Sequence, residues 1–175
     1  VCISSILSYE PISYRKRMKR NKPLKTTKPL VRRSPITAAA KGASRSTLMR
    51  RADAAFSLFI RTRDSQQYNA RYFRCISCGR ILPIGMADNG HYVNRQHMSL
   101  RFSEQNCHAQ CRHCNRFMEG NMQDYRKGLV EKIGEQKVEL LEAQKHISTK
   151  ISNFELALLA KHYMEETAKF EHQIK

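Results

Sequence analysis

Two cysteine pairs, Cys75-Ile-Ser-Cys78 and Cys111-Arg-His-Cys114, stand 32 residues apart and limit what this chain can fold into more than any other feature. Two such knuckles bring four thiolates to one point and make a closed tetrahedral site suited to Zn²⁺, an arrangement that is structural rather than catalytic. Paired Cys-x-x-Cys units in a Lys/Arg-rich chain also favour a metal over disulfides, which fits a reducing compartment. Cys107 has three residues between it and Cys111, forms no knuckle, and is expected as a small buried residue; Cys2 is unrelated to the site. A staple suits the rest of the composition. With 175 residues, 41% of them hydrophobic, no Trp and a mean hydropathy of −0.62, the chain is sized for one domain plus a tail around a small core. There is no run of about 18 apolar residues, so no segment is expected to span a membrane. The apolar opening, Val1 to Leu7, is short and lacks the basic flank of a secretion signal.

The net charge of +17 speaks to partners, because polyphosphate is the commonest target of a strongly basic chain. Its distribution divides the sequence. Residues 1–42 carry 11 Lys+Arg against Glu10, with Pro23, Pro29 and Pro35 and little apolar periodicity, which predicts a disordered basic arm. Residues 43–120 carry 12 basic side chains, every one of them Arg, against 5 acids; residues 121–175 carry 9 of each sign. A merely solvated face would mix in Lys. Arginine's planar fork grips phosphate at two points and stacks on bases, so the middle block is expected to touch phosphate.

Apolar residues at Leu48, Met49, Ala52, Ala55, Phe56 and Phe59 recur every three or four positions and predict an amphipathic helix capped by Ser44 or Ser46. Short strands are expected at Tyr72-Phe73-Arg74 and Gly90-His91-Tyr92-Val93, with turns at Gly79, Pro83, Gly85 and Asn89-Gly90. A helix should run from about Cys111 to Met118 and stop at Gly120, followed by helices over 122–133 and 135–146 divided at Gly134. Ser152-Asn153-Phe154-Glu155 is a capping box opening a last helix. Its Leu156, Leu159, Tyr163, Phe170 and Ile174 suit packing on their own domain, or, at near-heptad spacing, a seam between two copies.

Chemistry-bearing residues cluster around the knuckles. Asp88-Asn89-Gly90-His91-Tyr92 sets a carboxylate and an imidazole on one strand-turn, Asn106-Cys107-His108 leads into the second knuckle, and Asn115 follows Cys114. Phosphodiester hydrolysis needs a neutral base to activate water, ligands for a divalent ion, and a rigid frame. Taken singly, each residue has an ordinary reading, such as a core histidine or a polar helix surface. Their convergence on one staple favours the chemical one.

The motifs Cys75-Ile-Ser-Cys78-Gly79, Asp88-x-Gly90-His91-Tyr92, Leu100-Arg101-Phe102, Asn106-x-His108-x-Gln110-Cys111-x-x-Cys114-Asn115 and Gly120-Asn121 resemble the NinG family of lambdoid phages over roughly residues 46–145. More distantly, the knuckle pair followed by Asn is similar to phage resolvases of the endonuclease VII type. The resemblance implies an α+β fold in which a small zinc-stapled HNH (ββα-metal) core is flanked by α-helices. The expected organisation is an arm over 1–42, a helix packing on the core over 43–65, the nuclease core over 66–128 and C-terminal helices over 129–175. It also implies a structure-specific endonuclease acting on branched recombination intermediates, such as D-loops and Holliday junctions, with structural Zn²⁺ and catalytic Mg²⁺ or Mn²⁺. By motif, His91 matches the general base, Asn115 the helix ligand of the catalytic ion, and Asn106 the residue that holds the loop and orients the base; His108 is a further ligand or phosphate contact. Where many HNH sites have Asp directly before the base, this chain has Gly90, and Asp88 is the candidate metal ligand in its place. Arg74, Arg95, Arg101, Arg112 and Arg116 are the expected DNA contacts. Branched DNA, recombination proteins and a second copy of the chain are the expected partners, in the host cytoplasm. The alternatives are a relaxed nicking or homing-type enzyme and a non-catalytic zinc module that binds nucleic acid.

Overall fold

The first long apolar stripe forms helix α1 (Arg45–Ser65), whose start is fixed by Ser44, the side chain of which accepts from the Thr47 amide. The structure, a computed structural model, describes residues 42–172. The basic segment before Gly42, with Cys2, and Ile174 at the other end lie outside the described residues. After a short 3₁₀ turn (Gln66–Tyr68) come two antiparallel strand pairs: β1 (Tyr72–Arg74) with β2 (Ile81–Pro83), and β3 (Ala87–His91) with β4 (Cys107–Cys111). A wide π-helical turn (His113–Phe117) follows, then α2 (Met122–Ile133), α3 (Glu135–Gln144) and α4 (Asn153–His172).

The β3–β4 pair is the centre. Opposed residues of an antiparallel pair share a face, so His91 with Cys107 and Asn89 with Ala109 face one side, and Gly90 with His108 and Asp88 with Gln110 the other. On the first side Cys107 joins Phe56, Phe59, Ile60 and Tyr163 in a cluster between α1 and α4. On the second, the buried Tyr125 of α2 donates its hydroxyl to the carbonyls of Gly90 (3.0 Å) and Asn106 (3.3 Å). The approach is close enough that a Cβ at Gly90 would lie 2.5 Å from Gln110 Oε1 and 3.0 Å from the Tyr125 ring. Likewise a Cβ at Gly128 would lie 2.0 Å from the Ile76 carbonyl, so α2 rests directly on the first knuckle. The remaining core is divided among small clusters, and Cys75, Cys111 and Cys114 contribute to one of them.

Several expectations are met closely: β1, the division at Gly134 and the capping box, in which Glu155 accepts from the Ser152 amide (2.6 Å) and Ser152 Oγ from the Glu155 amide (3.2 Å). The near-heptad residues of α4 are used inside the molecule, with Leu156 and Tyr163 buried against α1. Other elements differ. Pro83 and Asn89-Gly90, expected as turns, lie within β2 and β3. The second strand stops at His91 instead of reaching Val93, because the Asn106 side chain takes both Val93 backbone groups (2.7 and 2.9 Å) that would have continued the ladder. The helix expected from Cys111 is a π-helical turn beginning at His113, with Cys111 still in β4; Met118 N donates five residues back to His113 O. That wide turn lets the Cys111 and Cys114 thiols face the same point.

Candidate metal centre and the adjoining cleft

One donor atom from each of Cys75, Cys78, Cys111 and Cys114 lies within 4.8 Å of all the others. A tetrahedron with Zn–S bonds of about 2.3 Å sets its sulfurs about 3.8 Å apart, and Cys78 and Cys111 Sγ are separated by 3.9 Å. The surroundings suit thiolates. The Cys111 amide donates to Cys75 Sγ (3.2 Å), the Cys114 amide to Cys111 Sγ (3.4 Å), and Arg80 Nε to Cys78 Sγ (3.4 Å). Burial pushes Cys78 upward, but hydrogen bonds from Arg80 outweigh it and leave the thiol at about 7. Hence the four cysteines can hold a metal such as zinc, pinning the β1–β2 knuckle to β4 and the π-helical turn. Cys107 is fully buried and stands apart, as expected, with burial raising its thiol well above the usual value.

Beside this centre lies a cleft of about 500 Å³ lined by Asp88, Asn89, His91, Arg95, Asn115 and Arg116, with Asp53 and Ser57 of α1 on its far wall. His91 sits at the end of β3, and its Nε2 is 3.2 Å from the Arg101 carbonyl. A carbonyl only accepts, so Nε2 carries the proton and Nδ1 keeps its lone pair. Burial lowers the His91 pKa below the usual imidazole value; carbonyls of Arg101 and Asn89 work against this, and the Arg101 and Arg95 charges add to it. The ring is therefore neutral at neutral pH.

Asp88 accepts from Asn115 Nδ2 (3.2 Å) and, through both oxygens, from Arg116 Nε and Nη2 (2.7 Å each). Burial pushes its carboxyl upward, but Arg116 and Asn115 hold it below the ordinary carboxylate range. Half a turn of the Asn115 amide would present its oxygen beside the Asp88 carboxylate. The pair then offers two hard oxygen donors to a divalent ion. Asn89 Oδ1, buried in the cleft wall, has no hydrogen-bond partner and is a further oxygen in need of one.

Asp88, His91 and Asn115 thus share one cleft, with Arg95 and Arg116 at its rim. Asn106 does not line it. Fully buried, it clamps the loop between β3 and β4 by donating to the Leu100 carbonyl (3.1 Å) as well as holding Val93. His108 faces away from the cleft, into a buried network. There its Nδ1 accepts from Arg63 (2.9 Å) and Lys132 (3.0 Å) and its Nε2 donates to the Gln105 carbonyl (3.2 Å), which leaves no ring nitrogen for a metal or phosphate. Arg101, an expected DNA contact, is engaged within the molecule. Its guanidinium is sequestered by Asp53 (2.8 and 2.6 Å) and the Arg95 carbonyl (2.9 Å). Arg112 is exposed with one hydrogen bond to the Gly85 carbonyl, and Arg74 is exposed along a separate groove beside the first knuckle. Gly90, directly before His91, has no room for a side chain, since Gln110 and Tyr125 fill the space. Sequence reasoning missed Asp53 and Asp64. The available signal was that α1 holds these two acids among five arginines, and each proves to be the partner of a basic side chain.

Comparison with known proteins agrees with the motifs. The family model described as Bacteriophage Lambda NinG protein matches residues 10–173. The chain belongs to the NinG family. Over 100 residues it is 39% identical to Protein ninG of Escherichia phage lambda and 40% identical to Protein ninG of Salmonella phage P22. Each match covers 57% of this chain and 46% of the relative, so this NinG chain spans about half the length of the curated relatives it matches. No solved structure matches it.

Proposed function

We propose that this NinG-family protein is a metal-dependent DNA endonuclease of the HNH type, stapled by zinc and acting on branched DNA. The observation that carries the reading is the sharing of one cleft by Asp88, Asn115 and a neutral His91, beside the four-cysteine centre. Arg95 and Arg116 at the rim and the net charge of +17 make phosphate the expected occupant.

In this reading Asp88 and Asn115 hold a divalent ion such as Mg²⁺ or Mn²⁺. When bound, that ion supplies positive charge for the pentavalent phosphate and the departing 3′-oxygen. His91 Nδ1 takes a proton from water as the water oxygen bonds to phosphorus. The P–O3′ bond breaks, leaving a 5′-phosphate and a 3′-hydroxyl that takes its proton from solvent. Arg116, once released from Asp88, and Arg95 grip the non-bridging phosphate oxygens. Asn106 contributes by holding the loop that supplies the Arg101 carbonyl to His91 Nε2. Because burial lowers the His91 pKa, the acid limb of the rate profile is expected below pH 6.5.

The test is cleavage of a labelled four-way junction and a linear duplex of the same sequence, with Mg²⁺, with Mn²⁺ and with no added divalent ion. Wild-type protein should cut the junction only with added metal, and His91→Ala should lose at least about a hundredfold in rate. Full-rate cleavage by the alanine variant would remove His91 from its role, and no cleavage by wild-type protein would sink the nuclease reading. Equal cutting of duplex and junction would instead indicate a relaxed nicking enzyme.

A further inference from the structure

Phe117 is 76% exposed, more than any other large hydrophobic side chain among the described residues. It lies on the π-helical turn that also carries Asn115 and Arg116. Met118 beside it is 46% exposed, and Met122, just past the Gly120 turn, is 40% exposed. The aromatic ring nearest to Phe117 is His113, whose plane is tilted by only 26° at a centroid distance of 6.2 Å. A phenyl ring in water next to the cleft is not explained by packing. The charge around it points to its partner. Arg112 and Arg116 flank it on the same segment, with Glu119 the one acid there, in a block whose basic residues are all arginine.

Such a surface selects a polyanion, and the part of a nucleic acid that a bare phenyl ring engages is the face of a base. In continuous duplex those faces are covered by neighbouring pairs. A ring on a protruding turn finds one only where stacking is interrupted, at a branch, bulge, gap or single strand. We propose that Phe117, flanked by Met118, is a stacking platform for an unstacked nucleobase beside the cleft, a specificity-determining contact that continuous duplex cannot make. The proposal rests on the reading of the cleft as a phosphodiester site. The other occupant to consider is a second copy of the chain. Arg116 and Glu119 interrupt the apolar run, which leaves it well short of the roughly 20 residues a side of a standard interface.

The experiment measures equilibrium binding by fluorescence anisotropy, without added divalent ion, to a matched duplex and to the same duplex carrying one bulged thymine. Wild-type protein, Phe117→Ala and Phe117→Trp are compared, and sedimentation velocity reports the oligomeric state of each. Loss of base stacking typically weakens binding by about 5- to 100-fold. We expect Phe117→Ala to lose at least fivefold on the bulged DNA and under twofold on the duplex, with Phe117→Trp retaining selectivity. Equal losses on both ligands, no loss on either, or a wild-type dimer dissociated by Phe117→Ala would overturn the proposal. A parallel cleavage assay separates the two readings: selective binding that depends on Phe117 in a protein that cuts nothing supports the platform and removes the nuclease.

Discussion

If Asp88 holds the divalent ion of the proposed mechanism, it is shared between two roles that exclude each other. Both of its oxygens are engaged by Arg116 at 2.7 Å, yet those oxygens are the ones a divalent ion would take. Its carboxylate is largely shielded while the Arg116 side chain is more than half exposed, so the guanidinium is the member free to leave. Arg116 is therefore expected to compete with the ion until a phosphate draws it away. Exposed pairs of this kind are weak, so the competition is modest. Arg116→Gln should bind Mn²⁺ roughly two- to fivefold more tightly in the absence of DNA, followed by the resonance signal of free Mn²⁺ in a protein already loaded with zinc. Asp88→Asn should weaken Mn²⁺ binding in the same titration. An unchanged affinity in the Arg116 variant would mean that the ion does not displace this pair.

At the scale of elements, α1 is joined to the cleft through a relay. Asp53 grips Arg101 with both oxygens, and the Arg101 carbonyl accepts from His91 Nε2, so a helix distant in sequence sets the tautomer and reach of the candidate base. Replacing Asp53 by Ala should lower the rate by about tenfold without abolishing it, and Asp53→Glu should restore part of the loss. The ¹⁵N shifts of the His91 ring give the independent readout, moving from one tautomer toward a mixture in Asp53→Ala; an unmoved ring would reduce Asp53 to packing. This relay also marks where the sequence stops being readable. Cysteine spacing, the capping box and the stripe of α1 act through neighbours a few residues apart, and each was legible. Asp53 and Arg101 are 48 positions apart, and their pairing depends on how α1 crosses the β3–β4 loop. His108 misleads for a related reason. Its place beside a knuckle suggests a ligand, but strand alternation turns it to the side of β4 where Asp64, Arg63 and Lys132 close around it.

For the whole molecule, that closed network is the internal joint. Asp64 accepts from the Ala109 amide (2.7 Å) and Lys132 (3.0 Å), so α1, β4 and α2 meet at one buried carboxylate. Burial pushes Asp64 upward, but the Arg63 and Lys132 cations hold it far below the usual carboxylate range, so its contribution, present above pH 3.8, survives well into acid. His108 behaves differently. Burial lowers its pKa, and the charges of Lys132 and Arg63 add to this against the opposing pull of Asp64. A histidine held neutral in the fold protonates more readily when unfolded. Its contribution is complete above the unfolded value of 6.5 and is lost as pH falls toward the lower folded value. His91 is lowered in the same direction and adds to the loss below pH 6.5. Each contributes a slope of at most about 1.4 kcal/mol per pH unit there. The melting temperature should accordingly fall as pH drops from 6.5 to 5. His108→Leu should melt lower at pH 7.5, having lost the acceptor for Arg63 and Lys132, yet show a shallower decline as pH falls from 6.5 to 5. Acid release of zinc would steepen both curves alike, so the difference in slope belongs to His108, and parallel curves would place the acid sensitivity elsewhere.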